Sequence, residues 1–557
     1  MALHALRRLS WILVLLAVAG CGAEQRPRAA TAPAREIPAD VGSMLAKSRP
    51  QYGGAVVTAG ADQPALRRAY EDRVPEAVRA TIKHDPALDL VAQVLAAIYL
   101  RTRQVPAVSL EQWLFWRCGA TTIPAGFDIL AFYGDDPTPS LDQRLAQVAE
   151  QQRTRHVPIS YGLVRVAFSD TITVQALVLA RRPVEVPAFK KSFEPGQEIE
   201  VAVRPTLGYT DLTLFADAGG GDVRVVPMTA GDDQSHWAKV VLPSQPGRYF
   251  VEVVGVEPVV GAADPDHPWR NSLLLLPVYV GVPEPTEPDD FIRHPLPNPP
   301  DAAAFRDLIL RGYNAERARF GRGPLALDPR AVGVAQEHSD EVARTAGDPR
   351  PDVHVYEELA TAGLPANEVG YSLGNLEFVS EYVHARLLEP AARHRLLSPA
   401  TTLLGLGLSR RPAEERVRPW AVVEYAIEPV GALDAPKERD RVYAELAALD
   451  RAEQRPPIER DDGLGQVAQQ VAEEVCRGAR KLDDPKGIWD RARGVTKGYT
   501  KAGSFSWVGY HFSKAEIARV REGTKGRGYT RIGVGLCQGD LPGQPKGTFV
   551  LMMEMGQ

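Results

Sequence analysis

Gly370-Tyr371-Ser372-Leu373-Gly374 spells G-x-S-x-G, the pattern that presents a nucleophilic serine on a sharp strand-to-helix turn. That chemistry needs a buried strand immediately before the serine and a helix immediately after it. The preceding Leu364-Pro365-Ala366-Asn367-Glu368 is a poor buried strand, so the stretch reads as a loop leading into the next helix, and a serine hydrolase is not expected. The four cysteines (Cys21, Cys118, Cys476 and Cys537) contain no C-x-x-C pair, which removes the usual spacing of a structural zinc site. They are also too few for a disulfide scaffold. With 65 Lys and Arg against 70 Asp and Glu, the chain lacks the basic surplus that grips nucleic acid, and no nucleic-acid partner is expected.

Cysteine chemistry of another kind is written at the start of the chain. Arg7 and Arg8 form a basic region, Leu9 to Gly20 is apolar apart from Ser10, and Cys21 ends the run. That apolar run covers roughly 18 Å as a helix, short of a bilayer core of about 30 Å, so it reads as a secretory signal and not as a spanning helix. Val18-Ala19-Gly20-Cys21 resembles the bacterial lipobox, in which small residues fit the peptidase and the thiol receives a diacylglycerol. The expectation is a signal peptide over 1–20, a lipidated Cys21 and an Ala- and Pro-rich tether over 21–44. The acyl chains would hold the membrane at about 0.8 kcal/mol per buried methylene. Gly22, where aspartate would resemble an inner-membrane retention signal, points to the outer membrane.

The 557-residue chain is long enough for several domains, and parts of it repeat. Asp85-Pro86 with Val91-Ala92-Gln93 recurs as Asp328-Pro329 with Val334-Ala335-Gln336, and Gly162-Leu163 recurs at the same offset as Gly405-Leu406. A third copy carries Asp461, Val467-Ala468-Gln469 and Gly533-Val534-Gly535. In the middle copy, helical periodicity covers Phe305 to Phe320, Pro329 to Ala346 and Asn375 to Leu388, while Leu403 to Ser409 and Trp420 to Ile427 read as strands. Residues 184–283 break the pattern. Six short alternating runs separated by PGQ, AGGGD and SQPGR turns predict an antiparallel β-sandwich there. The proline-rich 284–300 reads as a stiff, extended linker.

The middle unit resembles the CAP superfamily of cysteine-rich secretory, antigen 5 and pathogenesis-related proteins in its bacterial form. Asn314 and Arg317, Leu325 and Asp328, Ala335 and His338, His354, the half-matched Ala366-Asn367-Glu368-Val369, Pro390 to Arg395, and Gly405-Leu406-Gly407 follow the family's order. The resemblance covers 301–430, and the outer units, 45–183 and 431–557, read as degenerate copies. It implies an α-β-α sandwich for each unit, hence an α+β chain of tandem CAP-like units with an inserted β-sandwich. It also implies a cleft in which His354, Glu368 and His394 could hold a divalent metal such as zinc and leave one coordination position open. His338, on an apolar-periodic helix, reads as a packing residue. In this fold Cys476 and Cys537 could pair across about 60 residues or remain buried thiols, and Cys118 has no partner.

The function expected from all this is an extracytoplasmic lipoprotein that binds a lipid, glycan or protein ligand without catalysis. The rival is a metal-dependent hydrolase centred on residues 301–430.

Overall fold

The computed structural model describes residues 41, 49–53, 63–133, 158–256, 270–344, 354–481 and 499–557, apart from 73, 75, 80, 105, 168–171, 232, 413–419, 432–433, 510–513, 526, 540 and 542–547. The signal segment, Cys21 and the tether apart from Val41 lie outside the described residues.

The chain opens with a mixed unit: β1 (Ile82–His84), α1 (Pro86–Thr102), α2 (Val108–Cys118), β2 (Ile123–Tyr133), β3 (Ile159–Ala167) and β4 (Ile172–Arg181). Its sheet runs β1-β3-β4-β2. Two sheets then share one apolar core. Strands β5 (Glu198–Pro205) and β8 (His236–Val241) face β6 (Thr210–Gly219), β7 (Asp222–Pro227), β9 (Gly247–Val256) and β10 (Arg270–Val280). Strict alternation places Ile199, Val201, Val203, Ala238 and Val240 inward and their neighbours outward, the signature of half-buried strands.

Next come α3 (Ala302–Arg319), β11 (Ala326–Leu327), α4 (Pro329–Arg344), α5 (Val355–Thr361), β12 (Ala366–Leu376), α6 (Val379–Leu388), α7 (Pro390–Leu396), β13 (Leu403–Arg410) and β14 (Trp420–Pro429). The chain ends with α8 (Ala435–Ala452), β15 (Glu459–Arg460), α9 (Asp462–Cys476), β16 (Ala502–Gly509), α10 (Lys514–Lys525), β17 (Arg531–Gly539) and β18 (Thr548–Gly556). The middle sheet is β11-β13-β14-β12 and the last is β15-β17-β18-β16. The sheets of the three mixed units thus follow one order: short strand, third, fourth, second. Helices cover both faces of each.

The repeated residues explain the repeated geometry. Asp85, Asp328 and Asp461 each accept a hydrogen bond from the backbone at the start of α1, α4 and α9, a cap worth about 1 kcal/mol. Their own N–H groups donate to the carbonyls of Tyr161, Leu404 and Ile532, which locks the short strand beside the third in the same register each time. One residue further along, glycine is forced. A Cβ on Gly162 would lie 2.1 Å from the Leu88 carbonyl carbon, and on Gly405 2.6 Å from the Ala331 oxygen. On Gly533 it would lie 2.0 Å from the Gly465 nitrogen. Helix backbone therefore rests directly on strand backbone, which only glycine permits.

Beyond the short strand, the third strand has a free edge. A glutamine amide grips it at the same position in each sheet: Gln63 on Arg165, Gln336 on Leu408 and Gln469 on Leu536, each donating to the carbonyl and accepting from the N–H. The grip satisfies backbone groups that an edge would otherwise expose.

Two local expectations need correction. Asn375 and Leu376 end β12 and do not begin a helix, and the stretch around Ser372 is strand, not loop. Pairing with β14 along its length outweighs its weak propensity. The proline-rich segment is not extended throughout: Asp290–Arg293 make one helical turn, because Ile292 is buried and Phe291 stacks on His384.

Candidate functional site

The three residues implied as metal ligands sit on three elements around the outer end of β12. His354 is exposed at the position before α5. Glu368, on β12, forms an ion pair with Arg395 of α7. His394, also on α7, lies against Phe215 of β6 at a ring separation of 6.0 Å. Partial burial, then the Arg395 charge, hold its pKa below the usual histidine value, while Glu368 pulls the other way. Glu368 pairs with Arg395, whose charge also acts on His394, and His354 does not join them in any metal-sized group. Among the described residues no three His, Cys, Asp or Glu side chains gather to hold an ion. As placed, this set does not fit a divalent cation, since Arg395 already occupies the carboxylate.

Other polar groups do converge. On one face of the sheet, His338 of α4 is buried, one helical turn beyond Ala335 where the helix rests on Gly407. Its Nδ1 meets the Tyr425 hydroxyl, and its Nε2 lies 2.7 Å from Glu358 of α5. Tyr425 stacks on Tyr371 of β12 with ring centroids 5.5 Å apart. Burial, then Tyr371 and Glu358, raise the Tyr425 pKa far above its usual value, so it stays a neutral phenol. His338 is therefore more than the packing residue that its helical periodicity suggested.

On the opposite face, Ser372 pairs in register with Glu424 of β14. The Tyr382 hydroxyl of α6 reaches the Ser372 Oγ at 3.3 Å. Glu424, 1 % exposed, accepts a 2.6 Å bond from the Tyr313 hydroxyl of α3 and lies 3.6 Å from Arg386. Arg386 also pairs with Glu389. Ser372 sits in mid-strand with strand on both sides, so the geometry of a nucleophile elbow is not formed.

Sequence reasoning missed Tyr313, Arg386 and Glu424. The available signal was a glutamate, Glu424, in the otherwise apolar Trp420–Ile427 strand, because a charge buried there demands partners. Cys476 and Cys537 are joined as a disulfide with Cα atoms 6.4 Å apart. Cys118 is buried, and burial pushes its thiol up to about 12, far from thiolate reactivity at neutral pH.

No protein-family model matches the chain, and no curated protein matches it. Among solved structures, the chain is similar to a cysteine-rich secretory protein from Staphylococcus aureus at 6% identity and a TM-score of 0.19. That likeness covers 28% of this chain and 56% of the other, little more than half its length. An extracellular protein containing an SCP domain from Bacillus anthracis is similar at 12% identity and a TM-score of 0.18, over 38% of this chain and 74% of the other. Likenesses this faint carry no argument, and the account of the fold rests on strand order and register.

Proposed function

We propose that this chain is an extracytoplasmic bacterial lipoprotein, anchored to the outer membrane by a diacylglycerol on Cys21. In this reading three CAP-like units and one β-sandwich present ligand-binding surfaces and perform no catalysis. The observation that carries the reading is how the middle unit uses its reactive side chains. His338 has both ring nitrogens engaged, by Tyr425 and Glu358, and Glu368 is engaged by Arg395. Catalytic bases and metal ligands present a lone pair to substrate or ion, whereas here the His338 ring is held between Tyr425 and Glu358 and Glu368 faces Arg395. A lipid, glycan or protein ligand would then be held by surface shape and hydrogen bonds. Among the described residues no helix is long and apolar enough to cross a membrane, so the anchor in this reading is the lipid.

The test has two arms on the full chain expressed in a lipoprotein-processing bacterium. Radiolabelled palmitate should enter the membrane-bound protein and be absent from a Cys21→Ser variant, which should leave the membrane. Metal analysis should return substoichiometric zinc, unchanged by His394→Ala. Stoichiometric zinc lost in His354→Ala and His394→Ala would instead establish a metal centre and favour the metal-dependent hydrolase reading. Full solubility of the unaltered protein would overturn the anchor.

A further inference from the structure

Helix α7 seats the middle unit on the outer face of β6 and β9, and the seat is built from buried charges. Asp217 of β6 is 4 % exposed, accepts a 2.9 Å bond from the Phe250 N–H and pairs with Arg393 of α7. Glu252 of β9 is 2 % exposed and accepts a 2.8 Å bond from the Ala391 N–H at the start of α7. Phe320 closes one side, packed so tightly over Gly221 that a Cβ there would lie 2.4 Å from the ring. At the rim, Arg322 reaches Asp222 at 2.9 Å.

The charges behind this seat do not balance. Glu389, beside Glu252, shares the Arg386 guanidinium with Glu424. Three carboxylates thus depend on one cation. The Ser272 hydroxyl on β10 and the Ala391 N–H are the neutral donors to Glu252. The other charged groups near the seat have their own partners: Arg393 pairs with Asp217, Arg395 with Glu368 and Arg248 with Asp289. Two of the neighbours also titrate: burial pushes the Asp217 carboxyl up to about 6 despite Arg393, and burial, then Arg395, hold His394, which lies against Phe215, below the usual histidine value. Tyr313 and Tyr382, around Glu424, are held neutral by burial and by that carboxylate. With all three glutamates ionised, two negative charges would be left uncompensated in a region largely closed to water.

We propose that this contact is a proton-operated latch, in which a proton held between Glu252 and Glu389 keeps α7 seated on the β6–β9 face and its loss loosens the seat. Burial, then the Glu389 charge, push the Glu252 carboxyl from its ordinary 4.5 up to about 7, and burial raises Glu389 as well. Undocking returns both to water and to ordinary acidity, so docking takes up a proton. The contact is therefore at full strength in acid, near the ordinary carboxylate pKa, and weakens as pH rises through 7. For a docked pKa near 7 and an undocked value near 4.5, the docking constant falls about 30-fold between pH 5.5 and 8.5. Nothing in the latch depends on the anchor or on the ligand.

Hydrogen–deuterium exchange on the full-length protein tests it. The readout is protection of the α7 amides, corrected for intrinsic rate and divided by protection of α3, which belongs to the same unit but not to the seat. The wild-type ratio should fall roughly 30-fold from pH 5.5 to 8.5. Glu252→Gln should remove most of that dependence. Glu389→Gln, which carries the test if the first variant does not fold, should reduce it, because burial alone still raises Glu252. An unchanged wild-type ratio, or the full wild-type dependence surviving in both variants, would overturn the latch.

Discussion

The contact between helix and sheet in the middle unit can be tested by adding one methyl group. At Gly407 an ideal Cβ lies 2.0 Å from the Ala335 carbonyl oxygen and 2.4 Å from its carbon. Ordinary contact is roughly 3.4 Å, so Gly407→Ala must push α4 away from β13 by about 1 Å or more. The neighbour is helix backbone, which cannot change rotamer to give way. Overpacking therefore costs about 3 kcal/mol, the upper end of its usual range. The reduced entropy of the unfolded chain returns at most about 1 kcal/mol. A net loss of about 2–3 kcal/mol in a unit of this size lowers its melting temperature by roughly 10 °C. Gly333 on the same helix is the control, because nothing lies within 4 Å of its Cβ position. Gly333→Ala should stabilise by about 0.5–1 kcal/mol. Differential scanning calorimetry of the full chain resolves the transition of the middle unit. Equal melting of Gly407→Ala and wild type, or equal losses in both variants, would refute direct backbone contact as the reason for glycine.

Three further outcomes follow from the same structure. Gln336→Ala and Gln469→Ala should each cost about 1–3 kcal/mol and expose the Leu408 and Leu536 amides to faster hydrogen exchange, since the backbone groups at those edges lose their partner. Cys476→Ser should cost about 2–4 kcal/mol, and a reductant should lower the wild-type melting temperature by a matching amount while leaving the variant unmoved. Glu554, 2 % exposed, is pushed by burial up to about 8, so the folded state is unaffected in acid and loses stability as pH rises through 8. Glu554→Gln should abolish that loss, about 3 kcal/mol between pH 6 and 9.5, in melting curves over that range.

What the sequence made legible was backbone contact. Asp85, Asp328 and Asp461 could be read as helix caps, and Gly405 and Gly407 as special, because each constraint acts through the residue's own conformation or size. The six alternating runs expected in 184–283 all form strands for the same reason: alternation is local. The interior of the middle unit was not legible. Arg386 and Glu424 lie on different elements, and their partnership depends on packing that brings α6 over β14. Ser372 illustrates the limit from the other side. Its motif is a real local pattern, yet the strand that contains it continues to Leu376, so the turn that would activate it never forms.

The three sheets also show where variation is admitted. In register with the glycine that meets the helix, the fourth strand carries Val178, Tyr425 and Glu554. The second strand opposes them with Phe127, Tyr371 and Ser504. The first pair is apolar and joins the core, and the second is a stacked pair of tyrosines anchored by His338. The third places a carboxyl where the repeat offset puts Val471 in the position of His338, so the helix offers no partner to the Glu554 carboxyl, and burial keeps it protonated at neutral pH. Caps, glycines and edge glutamines cannot change without moving backbone, whereas this layer changes by side chain alone. A scaffold of that kind lets each unit change the chemistry of its interior at little cost to its fold.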